Sequence, residues 1–154
     1  MPNGTAHQPL NLSLNAFTSG ETAFAIGYAE MEDITLETRD GKLIPRGLTP
    51  ELYVSVGDVS NVFPENHTTR ETSTPGPCFE FAARIPGKMS GGPIFGGDGA
   101  VVRGVVSRSF SGQKIAYGAM LGPTMHLPLI GDRSFRSMME AGDDGIAQIR
   151  GQGL

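Results

Sequence analysis

The chain contains one cysteine, Cys78, and no tryptophan. A single thiol excludes any intrachain disulfide, so burial and hydrogen bonding must hold the fold, and it agrees with a reducing compartment. Cys78 reads as a small core residue rather than a nucleophile. Charge is sparse: Asp, Glu, Lys and Arg make up 18% of the residues, and the net charge is −4. With no block of Lys and Arg, the sequence offers no electrostatic ground for nucleic acid or anionic lipid as a partner. No apolar run approaches the roughly 18 residues that a membrane-spanning helix requires. Residues 1–20 lack the basic start and apolar stretch of a secretion signal. The expectation is a cytoplasmic protein with no membrane and no nucleic-acid contact. A metal-spaced His/Cys set and a phosphate loop are also missing, so neither metal nor cofactor is expected.

Turn formers and short alternating runs are plentiful. There are 22 glycines and 11 prolines in 154 residues, which favours short strands over long helices. Residues 1–20 are polar and read as an arm, with a possible short strand at Leu10, Leu12 and Leu14. From Glu21 to Tyr28 the sequence alternates, placing Phe24, Ile26 and Tyr28 on one side of a half-buried strand. Ile34, Leu36 and Thr38 repeat at period two, Asp40-Gly41 signals a tight turn, and Lys42-Leu43-Ile44 begins the return of a hairpin. Further strands are expected at Glu51–Val56, Cys78–Ala83, Pro93–Phe95, Ala100–Ser107 and Lys114–Leu121, with a surface loop at Pro64–Pro77. Only the end reads as helical. Asp132 is the expected cap, Phe135, Met138 and Met139 share a face, and Gly142 stops the helix. Helices of 10–15 residues between the strands are absent, which argues against a parallel α/β sheet. The pattern predicts an all-β domain, either a closed antiparallel barrel or a sandwich. Its divisions are an arm over 1–20, a β domain over 21–131, and a helix and tail over 132–154.

One segment carries chemistry. A serine hydroxyl is a weak nucleophile unless a base takes its proton and donors hold the developing oxyanion. In Gly87-Lys88-Met89-Ser90-Gly91-Gly92-Pro93, small neighbours let a carbonyl approach Ser90, and a tight turn can free backbone N–H groups. A plain turn is the alternative reading of the same residues.

The run from Phe79 to Val106 resembles the trypsin-like (chymotrypsin-fold) serine peptidases: a strand, Pro86-Gly87, Met89-Ser90-Gly91-Gly92-Pro93, a buried Ile94-Phe95, a turn, then Gly104-Val105-Val106-Ser107. The resemblance extends over roughly residues 20–142. It implies a six-stranded antiparallel Greek-key barrel, the second barrel of that fold, followed by a C-terminal helix. It implies Ser90 as the acyl-forming nucleophile and the Lys88 N–H as an oxyanion donor. It also implies Ser107, Arg108 and Ser109 as the strand that binds substrate main chain, Ser107 also supporting the triad carboxylate, and Arg84 near the position that sets charge preference.

Two departures accompany the resemblance. Lys88 stands where the family usually has glycine, and Gly87 comes one residue earlier. None of the three histidines matches the family's base: His7 reads as an exposed residue of the arm, His67 as a solvated loop residue near Glu65 and Glu71, and His126 as a packing or surface residue. The implied function is peptide-bond hydrolysis through Ser90, with His and Asp supplied by a first barrel outside this chain. A non-catalytic barrel that binds a peptide or protein is the alternative. A first β-barrel domain or a self-association partner is expected to cover the face that a half fold exposes.

Overall fold

Alternation and turn chemistry cut the chain into short strands. The structure, a computed structural model, describes residues 10–29, 35–46, 51–64, 67–68, 73–74, 77–97, 99, 101–126, 128, 134–140 and 149–150. The strands are β1 (Asn11–Ser13), β2 (Thr22–Ala29), β3 (Thr35–Arg39), β4 (Lys42–Arg46), β5 (Glu51–Phe63), β6 (His67–Thr68), β7 (Ser73–Thr74), β8 (Cys78–Phe81), β9 (Pro93–Gly96), β10 (Val101–Ser109), β11 (Ala116–Met120) and β12 (Ile149–Arg150). A 3₁₀ turn at Gly122–His126 and a short helix, α1 (Phe135–Glu140), are the helical elements among the described residues.

Six strands close into an antiparallel barrel. Around it run β2, β5, β8, β11, β10 and β9, and β9 pairs back onto β2. The order β9-β2-β5-β8 places the fourth strand beside the first, which is the Greek-key arrangement. β10 outruns β11 at its start. There β1 joins in parallel, Asn11 opposite Val101 and Leu12 opposite Val102, and β12 lies parallel to β1. The expected hairpin forms between β3 and β4. Its two turn residues, Asp40 at φ 51° and Gly41 at φ 72°, are both left-handed, as a two-residue turn matching strand twist requires.

The barrel interior decides which face of each strand looks inward. Phe79, Phe81, Met89 and Ile94 fill it and are at most 2% exposed. Little room remains, so β2 points Ala23, Ala25 and Ala29 inward and turns Phe24, Ile26 and Tyr28 out. Packing at near-crystalline density forces this choice of small against large. Glycines serve the same ring on the far wall: a Cβ at Gly118 would lie 2.3 Å from Phe79 Cζ, and one at Gly104 2.9 Å from its Cε1. A second cluster lies outside the barrel. Leu14, Phe95, Val102, Leu121 and Met125 pack there with Phe24 and Ile26, so two of the three large side chains of β2 also find a core.

The arm is part of the structure from residue 10. Phe17 enters the barrel cluster, its ring 4.4 Å from that of Phe79. Residues 1–9 lie outside the described residues, as do Asp132 and Gly142. At the helix N-terminus the Ser134 Oγ accepts the Ser137 N–H at 3.1 Å. Within the expected Pro64–Pro77 loop, β6 and β7 pair as a small hairpin.

Candidate functional site

The site grows from the connection between β8 and β9. After Phe81 the chain leaves the barrel wall. The Ala82 N–H donates to the Asp58 carbonyl at 2.9 Å, and the Ser55 hydroxyl donates to the Arg84 carbonyl at 2.8 Å. Ala83, Ile85 and Met89 are buried pegs, while Ala82, Arg84, Gly87, Lys88 and Ser90 stay exposed. Apolar residues therefore fix the segment from below and hold the polar ones at the surface.

Backbone geometry then raises Ser90. Lys88 at φ 71° and Gly91 at φ 86° flank Met89-Ser90. Lys88 thus adopts the left-handed conformation that glycine reaches most easily, at a cost of about 1 kcal/mol, and the loop turns there despite its Cβ. The Gly92 N–H donates to the Met89 carbonyl at 2.9 Å and closes the turn. Gly91 donates to the Val106 carbonyl and Val106 donates to the Gly92 carbonyl, each at 2.8 Å, which docks the loop on β10. A Cβ at Gly92 would sit 2.7 Å from the Ile26 carbonyl oxygen, so the close approach needs glycine. Met89 seats under Gly27, where an added Cβ would meet its Cε at 3.3 Å.

Beyond Val106, β10 loses its neighbour on this side, because β9 begins at Pro93, opposite Val105. The β9-side edge of Ser107, Arg108 and Ser109 carries no strand among the described residues, while their other edge holds β11 through a bulge between Val106 and Arg108. Ser107 and Ser109 are half-buried and Arg108 is exposed. An open edge offers N–H and C=O groups to an extended chain.

A groove of about 850 Å³ adjoins this edge. One wall is Tyr53–Val56 of β5, another Arg84–Gly87, and the third the β10–β11 turn, with Ser109 and Lys114. The sequence pointed to Arg84 and Ser109. It gave no signal for the β5 wall or for Lys114, which reach the groove only through the barrel closure.

The Ser90 hydroxyl makes no hydrogen bond to a described residue. His126 lies exposed in the 3₁₀ turn, His67 has its backbone in β6, and His7 falls outside the described residues. Burial pushes the Cys78 thiol up, away from thiolate chemistry, in agreement with its place in the core. Tyr117 is pushed up to about 12 by burial and by its hydrogen bond to the Glu80 carboxylate at 2.8 Å. Among the described residues no group of three or more His, Cys, Asp or Glu is gathered to hold a metal. The sequence matches no known family model, and no curated protein matches it.

Proposed function

We propose that this chain is the second barrel of a trypsin-like serine peptidase and that it cleaves peptide bonds through an acyl-enzyme on Ser90. The observation that carries the reading is the placement of Ser90: exposed on a loop fixed by Met89 and Gly92, beside the open edge of β10. The closed Greek-key barrel is the fold that the sequence resemblance implies.

In this reading an extended peptide lies along Ser107–Ser109 and presents a carbonyl to Ser90. A histidine from a separate first barrel, oriented by its own aspartate, takes the Ser90 proton as Oγ attacks. The Ser90 N–H, which donates to no described acceptor, faces the developing oxyanion, with the Lys88 N–H as the second donor. The leaving amine takes the proton from histidine, and water then hydrolyses the ester. The first barrel has an apolar face to meet: Tyr28 and Leu52, opposite each other on β2 and β5, are 52% and 60% exposed.

The test is covalent labelling by a peptidyl phosphonate with the neighbouring barrel present. We expect adduct on Ser90 and none on Ser90→Ala. Absence of labelling in both, with the barrel present, favours the second reading, a peptide-binding barrel without catalysis. One observation favours that alternative: among the described residues no side chain partners the Ser90 hydroxyl.

A further inference from the structure

The net charge of the chain is −4, yet the groove that adjoins the β10 edge at Ser109 carries the opposite sign. Its charged lining residues are Arg84 and Lys114, both exposed, and no carboxylate lines it. Neither cation makes an ion pair with a described residue. Beside the wall, the Glu51 carboxylate accepts the Tyr53 hydroxyl at 2.7 Å. Val54 and Val56 supply an apolar wall and remain 59% and 56% exposed. Cations beside an apolar wall suit a side chain with an aliphatic stem and a terminal negative charge.

Position links the groove to the bound chain. Gly87, in one wall, precedes Ser90 by three residues, and Ser109, in another, lies on the open edge of β10. A peptide held along that edge projects alternate side chains to either side, and one side is the groove. We propose that the groove selects a glutamate side chain of the bound peptide, its carboxylate meeting Arg84 and Lys114 and its stem lying on Val54 and Val56. This rests on the reading that a peptide docks along β10. It adds a preference that neither Ser90 nor the edge itself supplies.

The test reads binding, independently of catalysis. Fluorescent peptides identical except for a central Glu, Gln or Lys, all C-terminally amidated, are titrated onto the full chain carrying Ser90→Ala. The Glu peptide is expected to bind about fivefold more tightly than the Gln peptide, the scale of an exposed charge pair, with the Lys peptide weakest. The preference shrinks as NaCl rises from roughly 0.05 to 0.5 M. It disappears in Arg84→Gln/Lys114→Gln and turns toward Lys in Arg84→Glu/Lys114→Glu, with circular dichroism checking that each variant is folded. Equal binding of the three peptides, binding of none, or a Glu preference that survives the double Gln variant overturns the proposal. So does tighter binding of a Gln peptide with a free C-terminal carboxylate than of the Glu peptide, because the groove would then hold a chain end. Phosphonate labelling separates this outcome from the peptidase reading: a labelled Ser90 without Glu preference leaves that reading standing and removes only the groove assignment.

Discussion

Arg103→Ala is expected to destabilise the fold by about 3 kcal/mol, because one guanidinium ties the arm and the start of the β domain to β10 through four contacts. It donates to the Asn15 and Ala16 carbonyls and to the Glu21 carboxylate, and its carbon lies 4.1 Å from the centroid of the Phe17 ring. A hydrogen bond from a charged donor contributes about 1.5–3 kcal/mol. A partly exposed cation–π contact adds about 0.5–1 kcal/mol. The ion pair adds only about 0.5 kcal/mol, since the Glu21 side chain is 33% exposed. The loss corresponds to a fall in melting temperature of about 10 °C for a domain of this size. Urea unfolding of the two proteins measures it directly. Arg103→Lys keeps the charge but not the planar fork and should recover less than half of the loss. The pH profile supplies a second readout. Burial of Glu21 opposes its charge, but the hydrogen bonds from Thr18 and Arg103 outweigh burial and hold its carboxyl below the usual range. A lowered folded-state pKa contributes stability above the unfolded-state value, lost as pH falls through the folded-state value. The wild type should therefore lose stability on the acid side, and Arg103→Ala should lose less there. A destabilisation under about 0.5 kcal/mol, or a wild type that gains stability from this pair as pH falls, refutes the reasoning.

Two other outcomes are expected. Gly118→Ala places a Cβ 2.3 Å from Phe79 Cζ and 2.7 Å from Ile94 Cδ1, and both side chains are fully buried. It should cost about 3 kcal/mol in urea unfolding, with partial recovery on adding Phe79→Leu; no cost would show that the barrel interior has slack. Tyr117, pushed up to about 12, favours its protonated form in the fold. Its contribution is complete below the ordinary phenol range near 10 and is lost as pH rises toward 12; Tyr117→Phe should flatten that alkaline limb, and an unchanged limb would assign it to other groups.

Local chemistry was legible in the sequence and long-range packing was not. Asp40-Gly41 marks its turn through two residues that accept positive φ. The Ser90 loop was legible for the same reason at Gly91, which turns at φ 86°, whereas the need for Gly92 is set by the Ile26 carbonyl far back along the chain. The facing of β2 was not: its alternation places Phe24, Ile26 and Tyr28 together, but Phe79 and Phe81, more than fifty positions along the chain, decide that the alanine face turns inward. The length of β5 was hidden too. Alternation stops at Gly57-Asp58, yet the strand runs 13 residues to Phe63, because beyond Asp58 it pairs with β8 instead of β2, in a ladder that carries a bulge between Val59 and Asn61. Gly57 belongs to that exchange: a Cβ there would lie 2.4 Å from the Ala82 carbonyl oxygen.

That exchange of partners also explains why the site lies where it does. A closed barrel has no edges, so it offers an extended ligand nothing except where one strand outruns its neighbour. This happens twice around the segment from Ala82 to Gly92. The segment diverges from β5 after the Ala82–Asp58 hydrogen bond, which opens the groove against Tyr53–Val56. β9 starts only at Pro93, which bares β10 beyond Val106. Both openings follow from the same excursion, in which the chain leaves β8, turns at Lys88 and Gly91, and re-enters the wall as β9. The glycines that raise Ser90 are thus part of the geometry that clears an edge and a groove beside it. A substitution that straightened this excursion would remove the serine presentation and the proposed peptide path together. Independent loss of one is expected only from side chains such as Arg84 and Lys114, which line the groove without shaping the turn.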